Sequence, residues 1–337
     1  MKQILLSCLF ASLAVPSIAQ IDPSCTLEAE TRFGYQFRSV DGHVQDSESG
    51  LRGDYLYLKL DGTVAPGFTF SWKQRINKMH ADAAFFDATD WLTLTYQASP
   101  HWEISGGKQV VAIGGYEYDR SPIDVYIASE FWNHISCFQF GTSVAYLQGP
   151  HKWMLQFSES PFQHPDLRDL YGYSLMWMGH FPHLKTLYSV NLLEYSQRRY
   201  ISYLCLGHRI EVGKAALELD LMNRASDHQT FFLRDFSLVA NLDYLCLPNL
   251  NLMAKVTYDV NRTHSTADLC VLPGTELTAL SGGLEYFPLI GNQRVRLHGQ
   301  VAYTFGNNAN PHGALFDKGL QVRIGATWRM TLHRDRK

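Results

Sequence analysis

Along most of this chain apolar and polar side chains alternate with a period of two. Leu27, Ala29, Thr31, Phe33, Tyr35 and Phe37 interleave with Glu28, Glu30, Arg32, Gly34, Gln36 and Arg38. Near the far end Leu320, Val322, Ile324, Ala326, Trp328 and Met330 interleave with Gln321, Arg323, Gly325, Thr327 and Arg329. Such alternation predicts strands with one apolar and one polar face. The runs are about 9–12 residues long, the length that crosses a membrane, whereas globular strands average near 5–6. A soluble sandwich also alternates, so strand length and the aromatics gathered near strand ends decide the reading. Tyr35, Tyr96, Tyr258, Tyr286, Tyr303, Phe305 and Trp328 sit where a membrane barrel carries its interfacial girdles.

Sixteen strands are expected, near 27–38, 52–61, 67–76, 90–98, 101–109, 135–147, 151–159, 171–181, 184–195, 199–211, 213–222, 231–246, 250–260, 276–287, 293–305 and 318–331. Turn chemistry such as Gly149-Pro150 and Leu247-Pro248-Asn249 joins some of them tightly. The fold class predicted is all-β, a transmembrane antiparallel β-barrel of about sixteen strands, an even number that leaves a lumen. One segment breaks the meander. Gly106–His134 is too long and charged for a hairpin turn and too apolar to hang in water. It is expected to fold inward as a constriction loop.

Composition narrows the class further. Residues 1–19 read as a signal peptide, with Lys2, an apolar run from Ile4 to Ala14, and Ser17-Ile18-Ala19 at the cleavage point. Residues 20–337 then form a single barrel domain. That part holds 28 basic and 32 acidic side chains, a net of −4, which gives no footprint for nucleic acid. The expected partners are the lipid of a Gram-negative outer membrane and small hydrophilic or anionic solutes. Five cysteines follow the signal, widely spaced, and suit neither a disulfide framework nor zinc. No cofactor and no metal are expected. Catalytic patterns are also lacking: Ser202 and His208 share a strand face but lie too far apart to touch.

Candidate chemistry is therefore lumenal charge. On inward positions of the first, third and last two strands stand Arg32, Arg38, Lys73, Arg75, Arg294, Arg296, Arg323 and Arg329. On what is expected to be the opposite side stand Glu218, Asp220, Asp235 and Asp243. Facing walls of opposite sign set up a transverse field in a narrow pore, and arginine binds oxyanions through two parallel bonds. The loop adds Lys108, Glu117, Asp119, Arg120, Asp124 and Glu130 as constriction residues, with Val111, Ile113, Ile123, Val125 and Ile127 packing it onto the wall.

Gly107-Lys108-Gln109, Gly114-Gly115-Tyr116-Glu117-Tyr118-Asp119, Ser121-Pro122-Ile123-Asp124 and Ser129-Glu130-Phe131, with Ala88-Thr89-Asp90-Trp91 upstream, resemble the phosphate-selective porin O and P family in its Bacteroidota-type branch. The resemblance implies a sixteen-stranded homotrimeric porin. It also implies a basic eyelet in phosphate-specific members, whereas here Lys108 and Arg120 are outnumbered by loop carboxylates. The expected function is passive diffusion of small solutes with some anion preference. The alternative is a structural or adhesive barrel plugged by its own loop, with an enzyme third.

Overall fold

The computed structural model describes residues 24–78, 85–163, 169–226, 232–311 and 313–335; the expected signal peptide lies outside them. The chain forms sixteen long strands: β1 (Ser24–Val40), β2 (Gly50–Ala65), β3 (Phe68–Arg75), β4 (Thr89–Gln97), β5 (Trp102–Val110), β6 (Phe138–Gln148), β7 (His151–Glu159), β8 (Tyr171–His180), β9 (Leu184–Ser196), β10 (Arg199–Val212), β11 (Ala215–Ser226), β12 (Asp235–Leu247), β13 (Leu250–Asn261), β14 (Glu276–Tyr286), β15 (Val295–Asn307) and β16 (Gly319–Arg334). A two-residue strand, His43–Val44, folds back and pairs antiparallel with the end of β1. Each long strand pairs antiparallel with its sequence neighbours, and β1 pairs with β16 from Val40↔Gly319 to Thr26↔Arg334. The sheet is thereby closed into a barrel and has no free edge.

Alternation places the side chains as the pattern predicts. On β1, Phe33 and Tyr35 are exposed outside, while Glu30, Arg32 and Gln36 are buried inside. The outer face is apolar around the barrel, through Leu94, Val144, Leu155, Leu175, Val190, Leu252 and Val301. Aromatics cluster at both ends of that band. Phe68 stacks on Tyr96 with ring centres 4.4 Å apart and Trp153 on Trp177 at 5.6 Å, at the end where the connections are short. Phe157 stacks on Tyr171 at 5.3 Å toward the other end. An apolar band between aromatic girdles is the surface of a membrane-embedded barrel.

The longest connections leave from that second end. The longest, between β5 and β6, folds back into the lumen. Its base is closed where the Val111 amide donates to the Cys137 carbonyl at 2.9 Å. It contains two short helices, α1 (Tyr116–Asp119) and α2 (Glu130–His134), and a tight turn at Pro122–Asp124. Ser129 caps α2, its hydroxyl accepting from the Trp132 amide at 3.1 Å. Ser121, which the sequence suggests as a cap, makes no such bond and instead meets the Lys73 ammonium.

The protein's core lies inside the barrel. Val111, Ile113, Tyr118, Phe131 and Ile135 of the inner loop pack on Leu193 of β9, Ile201, Tyr203 and Cys205 of β10 and Met222 of β11. Phe162, Cys270 and Val271 cover the cluster from adjoining loops. Inward positions here are apolar, unlike the wall of a water-filled channel. Tyr200–Leu206 carries the signal, because its residues are largely apolar on both faces.

Candidate functional site

The inner loop crosses the lumen and returns, and side chains on the wall hold its backbone at every stage. On the outward path the Ala112 amide donates to Gln156 on β7 and the Ala112 carbonyl accepts from Asn191 on β9, both at 2.7 Å. Gly114 and Gly115 lie against the sheet itself: a Cβ on Gly114 would fall 2.6 Å from the Leu187 carbonyl, and one on Gly207 would fall 2.8 Å from the Gly115 Cα. Only residues without a side chain let two backbones approach so closely. Asp220 on β11 then accepts from the Tyr116 and Glu117 amides, both at 2.8 Å, at the start of α1.

The far side is held by cations. Arg32 on β1 donates to the carbonyls of Ile123 (2.8 Å) and Val125 (2.9 Å). Arg323 on β16 donates to the Tyr126 carbonyl at 2.9 Å, and Lys73 on β3 to the Ser121 hydroxyl at 3.0 Å. On the return, Lys255 on β13 bonds the Ile127 carbonyl (2.7 Å) and the Glu117 carboxylate (2.6 Å). Asp259, also on β13, accepts from the Glu130 amide (2.8 Å) and the Phe131 amide (3.3 Å) at the start of α2. A loop without ladder partners must satisfy its amides and carbonyls in this way, because water is excluded around it.

Beneath the loop, toward the short-turn end, a cavity of about 770 Å³ opens. A chain of alternating charges runs round it and up to β3. Lys185 meets Glu211 at 2.9 Å, Glu211 meets Arg209 at 2.7 Å, and Arg209 meets Glu218 at 2.5 Å. Arg120 of the loop bridges Glu218 and Asp243, each at 2.8 Å. Asn251 links Asp243 (3.4 Å) to Glu285 (3.2 Å), and Glu285 meets Arg296 at 3.1 Å. Asp124 bridges Arg296 (2.7 Å) and Arg329 (3.1 Å), and Arg329 meets Glu30 at 2.7 Å. Glu30 lies 3.5 Å from Lys73. Burial alone raises the Asp124 carboxyl, but Arg296 and then Arg329 outweigh it, and the group sits below the ordinary carboxylate value.

Several expected positions need correction. Lys108 is not in the constriction: it pairs across the sheet with Leu92 and Phe140, whose side chains are exposed on the outer face, and its ammonium reaches the Phe86 carbonyl. The strand parity of β5 sends it outward. Glu130 is fully buried and pairs with His134 at 2.8 Å, and Glu117 is buried between Ser129 and Lys255. Neither faces the open cavity. Asp235 holds the Thr263 amide at 3.0 Å and so ties down the loop after β13. Arg38 holds Glu48 and the Ala314 carbonyl among the long loops, and Arg75 pairs with Asp90 at 3.0 Å. Arg294 lies in the turn before β15, exposed at the cavity mouth. The acidic strands stand opposite only part of the basic wall. β11 lies half-way round the barrel from β3, with β4 to β10 between them, but only β13 and β14 separate β12 from β15.

Of the predicted set, Asp119, Arg120, Asp124, Glu218, Asp243, Arg294, Arg296 and Arg329 line the same cavity. Arg32, Lys73, Arg323 and Asp220 serve the loop's backbone or hydroxyls instead. The sequence reading missed Asp259, Lys255, Glu285, Arg209 and Gln156, whose alternation marks them as inward but whose spacing says nothing of what they meet.

In three dimensions the chain is similar to outer-membrane proteins. OmpT of Vibrio cholerae, expressed in the outer membrane, aligns with a TM-score of 0.63 at 12% identity, over 93% of this chain and 100% of its own. The in-vitro folded trimer form of that protein aligns at 0.64 and 12% identity, over 92% and 100%. A mutant porin of Rh. blastica aligns at 0.58 and 13% identity, over 91% and 100%. No protein-family model and no curated protein matches the chain. At such identities the likeness speaks to fold alone.

Proposed function

We propose that this protein is an outer-membrane porin of a Gram-negative bacterium, exported by its signal peptide and assembled as a homotrimer in the lipid bilayer. It passes small hydrophilic solutes by diffusion and needs no cofactor. The observation that carries this reading is the charged cavity of about 770 Å³ beneath a loop folded into the barrel. Kinship with the phosphate-selective family belongs to the same proposal and rests on the segment from Phe85 to His134.

The anion preference is slight. Most lumenal arginines are paired with carboxylates or hold loop carbonyls, so their fields largely cancel at a distance, and screening at ordinary ionic strength removes more. What preference there is comes from rim cations such as Lys214 and Arg294.

A second reading, the plugged barrel, is favoured by the apolar core between loop and wall. Gaps beside the loop of about 20 Å³ near Lys255 and about 10 Å³ near Leu315 are single-water-sized. Conductance of the purified protein in a planar bilayer separates the two. A porin gives an ohmic current with a small anion-selective reversal potential in a salt gradient, and Arg294→Glu moves that potential toward cations. A silent bilayer supports the plug.

A further inference from the structure

Almost every charge around the vestibule is neutralised by a neighbour, but three are not. Among the described residues, the Asp119 carboxylate on α1 makes no hydrogen bond or ion pair, and the Arg294 side chain in the turn before β15 makes none. The Lys214 ammonium, in the turn between β10 and β11, meets only the Cys246 carbonyl, at 3.3 Å. All three are exposed and line the same cavity, the acid on the loop above and the two bases on the rim below.

A free acid and free bases facing one compartment select by charge pattern rather than by net charge. A simple anion drawn to Arg294 meets Asp119, and a simple cation drawn to Asp119 meets the two bases. A solute bearing both an ammonium and a carboxylate satisfies both ends at once. The paired groups of the belt do not compete, since each would leave a partner uncompensated to bind it. The cavity is also of the size that encloses a small solute, roughly 300–1,000 Å³. Resting on the porin reading above, we propose that the vestibule is a retention site for small zwitterions, amino acids or short peptides, held by Asp119 at the ammonium and by Arg294 or Lys214, four strands apart on the rim, at the carboxylate.

The test is single-channel recording on the full chain with four probes of similar size: glycylglycine, its amide (a cation), its N-acetyl derivative (an anion) and N-acetylglycinamide (neutral). Glycylglycine is expected to interrupt the potassium chloride current in a saturable manner, and the other three to do so about tenfold more weakly, the worth of one charge-assisted contact. In Asp119→Asn channels and in channels carrying both Arg294→Gln and Lys214→Gln the glycylglycine interruptions shorten by a similar factor, and Asp119→Glu restores them. Equal interruption by all four probes, or glycylglycine interruptions unchanged in both neutralised variants, overturns the zwitterion site while leaving the porin. A protein that carries no current overturns the porin reading, and this site with it.

Discussion

Asp220 and Asp259 show what a lumenal carboxylate does when a loop is folded over it. Each accepts two backbone amides at the first turn of a short helix, where unpaired donors and the partial positive end of the helix favour an anion. In sequence they look like pore-wall charges; in space they are clasps. Replacing Asp259 by Ala leaves two buried amides unpaired, at a cost of about 1–3 kcal/mol for each. The detergent-solubilised barrel is therefore expected to melt at a lower temperature, with Asp259→Asn intermediate; an unchanged melting point in Asp259→Ala would remove the clasp role. Asp124 adds a pH dependence at the acid end. Its value is depressed in the folded protein, so its tether to Arg296 and Arg329 is in place above the unfolded value, about 4, and is lost as the pH falls through the lower folded one. Current fluctuations should grow only once the pH falls well below about 4, and that acid-end rise should be absent in Asp124→Asn. Lys108 gives the converse case: on the outer face, Lys108→Gln leaves the reversal potential unchanged, whereas a shift would return it to the lumen.

At the scale of elements, the inner loop is fixed twice over, by polar clasps along its backbone and by an apolar seam on β9, β10 and β11. The seam depends on the close approach at Gly114, Gly115 and Gly207. A side chain at Gly207 meets backbone, which cannot rotate away as a flexible side chain would. Gly207→Val should therefore lift the outward arm of the loop from the sheet, and protease should then cut within residues 111–137 of the folded barrel, where the wild-type loop resists. The strands around the loop are legible one by one because each carries its own two-residue period. The loop is legible only as an interruption. Its apolar residues announce burial, but the same residues suit packing against any wall, and nothing local says that β10 offers Ile201, Tyr203 and Cys205 to receive them.

For the whole molecule the decisive feature is closure. β16 pairs with β1 over most of its length, and without it two long edges would stand open, each a row of unpaired amides and carbonyls. A chain ending before Gly319 is expected to form no heat-resistant barrel in detergent and to aggregate; a folded, monodisperse product would contradict the closed topology. Closure also decides how the lumenal charges meet. Strands distant in sequence face one cavity, so Arg120 on the loop reaches Glu218 and Asp243 while Asp124, four residues later, reaches Arg296 and Arg329. The field expected from separate basic and acidic walls is thereby divided among short ion pairs.

By itself the sequence determined the strands, their number, the face most strand side chains take and the place where the meander is broken. These follow from local periodicity, turn residues and the short reach of the backbone. Which charges are free and which are matched was decided only when the barrel closed. Coulombic pairing and hydrogen bonding act over a few ångströms in space, and the partners here stand as much as about 300 residues apart in the chain, as Arg329 does from Glu30.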